Sequence, residues 1–343
     1  MDAPLRGFSP VQRRSLRQAQ LALPDQIAQL CVREGCEVCL IAGDVFDGDY
    51  TREGYEAVCR ALARMQIPVF IAPGNHDPYR PESPWVREQW PENVHIFTKN
   101  EITSFRIPRL DCRVYGAAFA GIESPALLRG FQAECGERHA LLVMHGDPAA
   151  PGSPYNPVTA ADIRDAGVDY AALGHIHAGG SFSAGGALCA WPGCPMGRGW
   201  DETGVKGALI VTLGANEPVR FAPLDTPRFF ELSVPAGSDP ASAVASVLPG
   251  GGSDDHFRLR LTGETAADCA DLAERFPAYP NLTILDETVP AADVWEQTDA
   301  DSFTGAYFRL LRDAADHGET AEAALLAAKL SRQILTGREV TLP

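Results

Sequence analysis

Residues 68–77 read PVFIAPGNHD, a short apolar run that ends in turn residues and then in polar ones. A run of this length with such boundaries is typical of a buried strand. A helical pattern at Tyr55–Met65 comes before it, and a second apolar run at Glu37–Ala42 comes before that helix. Strand, helix and strand at this interval predict a βαβ unit, so we expect an α/β fold.

The same transition, from an apolar strand into polar residues, occurs four times along the chain. Ligands of α/β proteins gather beyond the carboxyl ends of strands, so we expect the four ends to converge on one crevice. Each piece alone is weak, because a lone Gly-Asp is usually a turn and a lone buried histidine is usually a core residue. Carboxylate, amide and imidazole groups together suit Mn²⁺, Fe²⁺ or Zn²⁺. The polar residues are Asp44 after the first strand, Asn75, His76 and Asp77 after the second, His145 after the third, and His175 and His177 after the fourth.

The ordered motifs resemble those of a known family. Gly-Asp-Val-Phe-Asp at 43–47, Gly-Asn-His-Asp at 74–77, Met-His-Gly at 144–146 and Gly-His-Ile-His at 174–177 are similar to the calcineurin-like metallophosphoesterases. Within that superfamily, the first motif and the segment 191–199 most resemble bacterial SbcD-like DNA-repair exonucleases. The resemblance is clear over residues 1–235 and loose beyond them. It implies a β-sandwich flanked by helices, with a small α/β domain and a helical C-terminal tail.

The resemblance also implies a metal centre with two divalent ions, for which Mn²⁺ is expected. Asp44 would bridge the two ions. Asn75, His145 and His175 would complete the second site, and His177 would belong to the first. Two metals can hold a phosphate, generate a hydroxide and stabilise both oxygens of an in-line displacement.

Four further residues have implied or candidate roles. His76 would face the scissile phosphate and act on the leaving oxygen, and Asp77 would orient it. Arg198 could contact a phosphate or be a solvated loop arginine. Asp47 could support the site or cap the next helix.

One departure from the family concerns the start of the chain. The family's first strand ends in Asp-x-His, two ligands of the first metal, and this sequence has no such motif ahead of Asp44. Met1–Phe8 resembles the segment that comes directly after that motif, so the chain looks as though it starts one strand late. We therefore expect one bound ion rather than two, and impaired activity, in the chain as given.

The charge balance excludes one class of protein. The 343 residues contain 29 Lys and Arg against 45 Asp and Glu, a net charge of −16. Such a surface repels phosphate backbones, which excludes a basic protein that coats nucleic acid. A polyanionic substrate would need a local source of positive charge, such as bound metal ions.

The cysteines and the chain start bear on localisation. Nine cysteines, an odd number scattered through a large chain, argue against a secreted disulfide scaffold. Cys36 and Cys39 form a C-x-x-C between a helix and a strand, and we expect buried structural thiols there. The chain has no apolar signal core and no run approaching 18 apolar residues, so we expect a cytoplasmic protein that does not contact membranes.

We expect a metal-dependent phosphodiesterase that acts on DNA in DNA repair. Its expected partner is an SMC-like coiled-coil ATPase, and a homodimer is a further possibility that we consider. A small-nucleotide phosphodiesterase or phosphatase remains an alternative, as does a non-catalytic binding subunit. We expect a nuclease domain at 1–225, a small α/β domain at 226–290 and a helical segment at 291–343.

Several local expectations are specific enough for the structure to test. Ala266–Phe276 has a helical pattern, and the glycine-rich segments around Leu188–Trp191 are typical of turns. Four histidines outside the motifs are expected at the surface or in loops: His95, His139, His256 and His317. The spacing of Phe303, Tyr307 and Leu311 favours packing, with a partner-docking helix as the functional alternative.

Overall fold

The computed structural model describes Met1, Leu5 and residues 7–290, 294–296, 298–317 and 321–335. Parts of the expected N-terminal resemblance and of the C-terminal segment lie outside the described residues. The helices are α1 (Pro10–Arg33), α2 (Arg52–Met65), α3 (Pro84–Arg87), α4 (Ala160–Ala166), α5 (Pro240–Val247), α6 (Phe303–His317) and α7 (Ala321–Leu335). The strands are β1 (Cys39–Ile41), β2 (Val69–Ile71), β3 (Val94–Ile96), β4 (Thr103–Ile107), β5 (Cys112–Gly116), β6 (His139–His145), β7 (Tyr170–Gly174), β8 (Ala178–Ala184), β9 (Ala187–Gly193), β10 (Gly207–Val211), β11 (Val219–Pro223), β12 (Phe229–Pro235), β13 (His256–Thr262), β14 (Glu264–Thr265), β15 (Leu282–Asp286) and β16 (Val289–Pro290).

Two sheets form the centre of the larger part of the chain. β1, β2 and β3 make a three-stranded parallel sheet, and β4-β5-β6-β7-β9-β8 is the strand order of a six-stranded mixed sheet. β10 and β11 pair as an antiparallel hairpin. The expected βαβ unit is confirmed, since β1 and β2 are parallel neighbours joined through α2.

Alternation of side chains along the central strands sets the layers. In β6, Val143 packs into the core between the two sheets, while Leu142 and Met144 pack towards α4 on the outer side. In β2, Phe70 faces the core between the sheets, and Ile71 faces the helices α1 and α2. Because successive strand residues point to opposite faces of the sheet, each buried strand contributes side chains to two hydrophobic cores, one on each face. The result is the expected α/β sandwich flanked by helices.

Helix α1 has sharply defined bounds because both of its ends are capped. Ser9 accepts a hydrogen bond from the backbone of Gln12, whose side chain accepts one in return, a capping box. At the other end Gly35 has φ 63°, and the N–H of Cys36 donates to the carbonyl of Cys31 at 2.9 Å. This hydrogen bond is the longer of the two in a Schellman motif, which ends the helix just before β1.

Two sequence expectations about secondary structure are wrong. Residues 266–276 contain only a short 3₁₀ helix at Leu272–Arg275. The side chains of Thr265 and Asp268 accept hydrogen bonds from backbone N–H groups two residues later, which competes with helix formation. The glycine-rich segment before β9 is the strand β8, and only its last two residues, Gly185 and Gly186, form the expected turn. Its Gly180 is opposite Trp191, where a Cβ would lie 2.4 Å from the indole ring.

The expectation of surface or loop positions is also wrong for two histidines, His256 and His95. His256 is 2% exposed and stacks on Phe229, with ring centroids 4.6 Å apart. His95 lies in β3 and stacks on Phe70, whereas His139 begins β6 with a side chain that is 29% exposed. Aromatic packing explains the first two, because a neutral imidazole stacks much as a phenyl ring does.

The chain forms two compact units. The first contains Met1–Leu232, Gly251–Arg258 and Phe276–Thr283, and the second contains Ser233–Gly250, Leu259–Arg275 and Ile284–Pro343. The domain boundaries expected at 225 and 290 stay predictions. No helix among the described residues is long and apolar enough to cross a lipid bilayer.

In the second unit, α6 and α7 pack together. Phe308 is 1% exposed and Ala328 is fully buried, and Tyr307 Oη lies 2.9 Å from Ser331 Oγ. Phe303 is 88% exposed, so the packing expected for this side chain is wrong. The helix exposes apolar surface on one side.

Candidate functional site

The predicted site residues follow the carboxyl ends of four strands in the first unit. β6 and β7 are parallel neighbours, as are β1 and β2, so each pair ends at one edge of its sheet. The two sheets meet there, because His145 Nδ1 lies 2.8 Å from the carbonyl oxygen of Ala42. Asp44 comes after β1, and the three residues Asn75, His76 and Asp77 come after β2. His145 is the last residue of β6, and both His175 and His177 come after β7.

Three glycines allow the strand ends to approach each other this closely. A Cβ at Gly43 would lie 2.6 Å from His145 Nδ1, and one at Gly74 would lie 2.2 Å from Asp44 Oδ1. A Cβ at Gly174 would lie only 1.9 Å from the Ala42 carbonyl oxygen. The glycines directly before Asp44, Asn75 and His175 are therefore needed for space at the site.

Two candidate ligands have an unusual backbone conformation. The φ angle is 53° at Asp44 and 103° at His175. Positive φ is unfavourable for residues with a Cβ, and such strain clusters at functional sites. The strained turns point both side chains towards His145: Asp44 Oδ2 lies 3.2 Å from His145 Nε2, and His175 Nδ1 lies 3.3 Å from it.

The ring of His145 is held in one tautomer. A carbonyl oxygen only accepts, so Nδ1–H donates to Ala42, and in the neutral ring Nε2 carries the lone pair. Asn75 Oδ1 lies 2.9 Å from that Nε2, beside the two atoms of Asp44 and His175. Three atoms that can carry lone pairs thus lie within 3.3 Å of Nε2, which favours a positive charge there.

The charges of the cluster shift the pKa values of its members. Burial acts to lower the pKa of His145, but the hydrogen bond and charge of Asp44 outweigh it, so this pKa is raised. For Asp44, burial acts to raise the pKa, and the contacts with His145 and His76 lower it overall. Burial and then the charge of His145 lower the pKa of His175.

The donor set fits a divalent metal ion chemically. A carboxylate, an amide oxygen and two imidazoles are ligands for Mn²⁺, Fe²⁺ or Zn²⁺. The backbone bond at His145 Nδ1 is the support that metal-binding histidines usually have. Within the described part of the chain, however, no three His, Cys, Asp or Glu side chains are spaced to hold one ion together. Metal binding by these residues therefore stays a proposal.

Asp77 has a different position from the one implied. Its carboxylate is 2% exposed and accepts N–H bonds from Asp44 at 3.1 Å, Val45 at 2.7 Å, Phe46 at 3.1 Å and Gly74 at 2.8 Å. Burial, followed by the charge of Asp44, raises the pKa of Asp77 to about 7. The residue ties the loop after β1 to the loop after β2.

The carboxylate that contacts His76 is that of Asp47. His76 Nδ1 lies 2.5 Å from Asp47 Oδ1, while the side chain of His76 is half exposed. Asp47 does not cap α2, because Thr51 does. The implied pairing of Asp77 with His76 is thus corrected: four backbone donors turn Asp77 inward, and Asp47 takes its place.

Arg198 joins Asp47 to a second histidine. Its Nη1 lies 3.5 Å from Asp47 Oδ2, and its Nη2 lies 2.9 Å from Glu202 Oε1. His177 Nδ1 lies 2.7 Å from the same oxygen of Glu202. Arg198 is therefore fixed at the site and is not a freely solvated loop residue. Among the described residues, His177 makes no hydrogen bond or ion pair with Asp44.

Sequence reasoning missed Glu202. Its side chain is 3% exposed. Burial alone would raise the pKa of Glu202, but hydrogen bonds from His177 and Arg198 lower it to about 2. A glutamate in a glycine-rich loop gives no periodic signal, and its partner His177 is 25 residues away. Only the position four residues after Arg198 hinted at a pair.

Comparisons with known proteins cover this site. Residues 17–179 match the family model described as calcineurin-like phosphoesterase, a range that includes the motifs of β1, β2, β6 and β7. The uncharacterized metallophosphoesterase YhaO of Bacillus subtilis (strain 168) is 29% identical over 228 residues, 62% of this chain and 54% of YhaO. The chain thus spans about half the length of the curated relative it matches. A crystal structure of TT1561 of Thermus thermophilus has a TM-score of 0.36 and 16% identity, over 51% of this chain and 84% of that one.

Proposed function

We propose that this chain, which is similar to the calcineurin-like phosphoesterase family model over residues 17–179, is a metal-dependent phosphodiesterase that hydrolyses DNA. One observation carries the proposal: Asp44, Asn75 and His175 present oxygen or nitrogen atoms within 3.3 Å of His145 Nε2. Such a set supports binding of a divalent ion, with Mn²⁺ as the expected metal. The choice of DNA rests on the resemblance of residues 43–47 and 191–199 to SbcD-like exonucleases.

The chain's own residues divide the work. Asp44, Asn75, His145 and His175 would hold metal. A divalent ion bound there would polarise the phosphate and lower the pKa of an attacking water. His76 is half exposed and has Nδ1 against Asp47, so its Nε2 is available to donate a proton to the leaving oxygen.

Other contacts order these groups. The backbone N–H of His76 donates to Asp44 Oδ1 at 3.0 Å, which links the proton donor to the metal-binding carboxylate. The guanidinium of Arg198 is one-third exposed and is held by Asp47 and Glu202. A fixed guanidinium can bind a phosphate oxygen through its planar fork.

The test is hydrolysis of linear DNA and of bis(p-nitrophenyl) phosphate with Mn²⁺, beside a reaction with EDTA. We expect the wild type to hydrolyse both substrates and EDTA to stop the reaction. In His76→Ala the rate should fall by roughly 10²–10⁴-fold. His317→Ala, an exposed histidine of the second unit, is the control. Hydrolysis of the small ester alone would favour a small-nucleotide enzyme, and no Mn²⁺-dependent hydrolysis at all would favour a binding subunit.

The proposal includes an SMC-like coiled-coil ATPase as partner, which the resemblance implies. In its support, Phe303 and Leu310 of α6 are 88% and 72% exposed and lie seven residues apart, two turns along one helix face. Apolar residues at this spacing suit a coiled-coil partner. Co-purification with such an ATPase should be lost in Phe303→Glu and kept in Asp313→Lys, which changes charge elsewhere on α6. Equal recovery of all forms would contradict the partner.

A further inference from the structure

A shallow groove begins at His177 and runs between the hairpins β8–β9 and β10–β11, within the first unit. Trp191, Lys206 and Phe221 are among the residues that line it. None of these three takes part in the candidate chemistry. His177 belongs both to the groove and to the cluster with Glu202 and Arg198, so the groove opens directly beside the site.

Trp191 forms one wall of the groove and has a fixed ring. A Cβ at Gly180, its partner across the hairpin, would lie 2.4 Å from Cζ2, so the indole lies against the glycine backbone. The indole Nε1 donates to the carbonyl of Ala178 at 2.9 Å. The indole N–H is therefore satisfied, and the side chain is one of those that line the groove.

Phe221 repeats this arrangement in the second hairpin. A Cβ at Gly207 of β10 would lie 2.8 Å from the Cζ atom of Phe221. Phe221 is nonetheless 43% exposed, and the neighbouring Val205 is 48% exposed. An aromatic ring that is in contact at its tip and exposed over much of its surface is a platform on which a planar group can stack.

Lys206 supplies a positive charge at the same place. It is one of only three lysines in a chain of net charge −16. Lys99 pairs with Glu101 at 3.0 Å, whereas Lys206 makes no ion pair with a carboxylate within the described ranges. Its ammonium lies near the thiol of Cys194, a weak partner. The charge is available to a phosphate group.

We propose that this groove binds one nucleotide of a single-stranded DNA segment next to the scissile phosphodiester, with the base stacked on Phe221 or Trp191 and a phosphate paired with Lys206. The inference rests on the proposed function and names its substrate: strand ends or gaps with unpaired bases. Stacking platforms beside a positive charge bind single strands with little sequence preference. The continuity through His177 places the next phosphate towards Arg198 and His76.

Binding in EDTA tests the groove without catalysis. Fluorescence anisotropy would compare a labelled oligothymidylate with an abasic oligonucleotide of equal length and charge. We expect Phe221→Ala to weaken oligothymidylate binding roughly 5- to 20-fold and to leave abasic binding unchanged. Lys206→Ala should weaken both and reduce the slope of log affinity against log salt by about 0.7.

The controls are Ile122→Ala, an exposed apolar residue elsewhere, and Lys99→Ala, with the melting temperature of each variant measured. The same variants should hydrolyse methyl p-nitrophenyl phosphate, which has no base, at the wild-type rate. Absence of this hydrolysis in the wild type would overturn the proposed function. Wild-type binding of oligothymidylate by Phe221→Ala and Lys206→Ala, with the ester still hydrolysed, would overturn the groove alone.

Discussion

The Nδ1 atom of His76 lies 2.5 Å from Oδ1 of Asp47, and the other oxygen of Asp47 lies 3.5 Å from the guanidinium of Arg198. This one carboxylate orients both the candidate proton donor and the candidate phosphate-binding arginine. Asp77, the acid next to His76 in the chain, instead joins two loops through backbone hydrogen bonds. Two neighbouring acids thus have separable roles, one in orientation and one in folding.

Asp47→Asn is expected to lower kcat for DNA hydrolysis roughly 10- to 100-fold, because the His76 ring loses the acceptor that holds its orientation. Asp47→Glu should restore part of the rate, and the affinity for Mn²⁺ should not change. Asp49→Asn, an exposed acid two residues away, is the control. Steady-state kinetics and metal titration check this, and an Asp47→Asn rate equal to that of the control would refute the positioning role.

Asp77→Asn is expected to lower the free energy of unfolding by about 2–4 kcal/mol, because the new amide N–H₂ would face backbone N–H donors. The loops after β1 and β2 would then lose their common acceptor. Urea denaturation measures the change, with the exposed Asp165→Asn as its control. A difference below about 0.5 kcal/mol between the two variants would show that the backbone bonds are dispensable.

Gly174→Ala is expected to be severely destabilising, by about 3 kcal/mol or more, because the added Cβ would lie 1.9 Å from the Ala42 carbonyl oxygen. That contact involves backbone, so no side chain can move aside. Gly121→Ala is the matched control, since a Cβ there has no atom within 4 Å. Thermal melts of both variants decide it, and equal melting temperatures would mean that the two sheets can separate at the site.

Mn²⁺ is expected to raise the melting temperature of the wild type, because a ligand that binds only the folded state stabilises it by about 2.7 kcal/mol at 100 times its Kd. In His145→Ala this gain should disappear, since the residue at the centre of the donor set is gone. His139→Ala, at the other end of the same strand, should keep it. The measurement is the change in melting temperature on adding Mn²⁺. An equal change in the wild type and in His145→Ala would mean that the ion binds elsewhere.

Glu137 gives a prediction for pH. Arg113 bonds both of its oxygens, at 2.9 and 3.2 Å, and this hydrogen bonding lowers the pKa of Glu137 from its usual 4.5. A lowered pKa in the folded state means that the pair stabilises the protein above pH 4.5 and that this contribution is lost as the pH falls below it. Glu137→Gln should therefore have a lower free energy of unfolding than the wild type at pH 7. This difference in free energy should become smaller as the pH falls.

Urea denaturation from pH 3 to 7 checks the Glu137 prediction. Glu101→Gln breaks the exposed ion pair with Lys99, and its free energy of unfolding should be almost equal to that of the wild type at every pH. If the difference in free energy of unfolding between Glu137→Gln and the wild type stayed constant down to pH 3, the charge of Glu137 would have no role in stability.

Local patterns were sufficient for the βαβ unit and for the first group of site residues, but not for the strand β8 or for residues 266–276. The bounds of α1 follow from its apolar spacing and from Ser9 and Gly35, which act within a few residues of the helix ends. The approach of Asp44, Asn75, His145 and His175 could also be predicted, because parallel strands end at one edge and each motif directly follows its strand.

Only the tertiary structure decided which acid serves which partner. Asp47 and His76 are 29 residues apart, and Glu202 and His177 are 25 apart, so no spacing rule joins them. Asp77 lies next to His76 in the chain, yet four backbone N–H groups from two loops hold its carboxylate in the interior. Hydrophobic periodicity is a local property that can be read along the chain, whereas the partner of a charged group depends on which loops the packed sheets bring within about 3 Å of it.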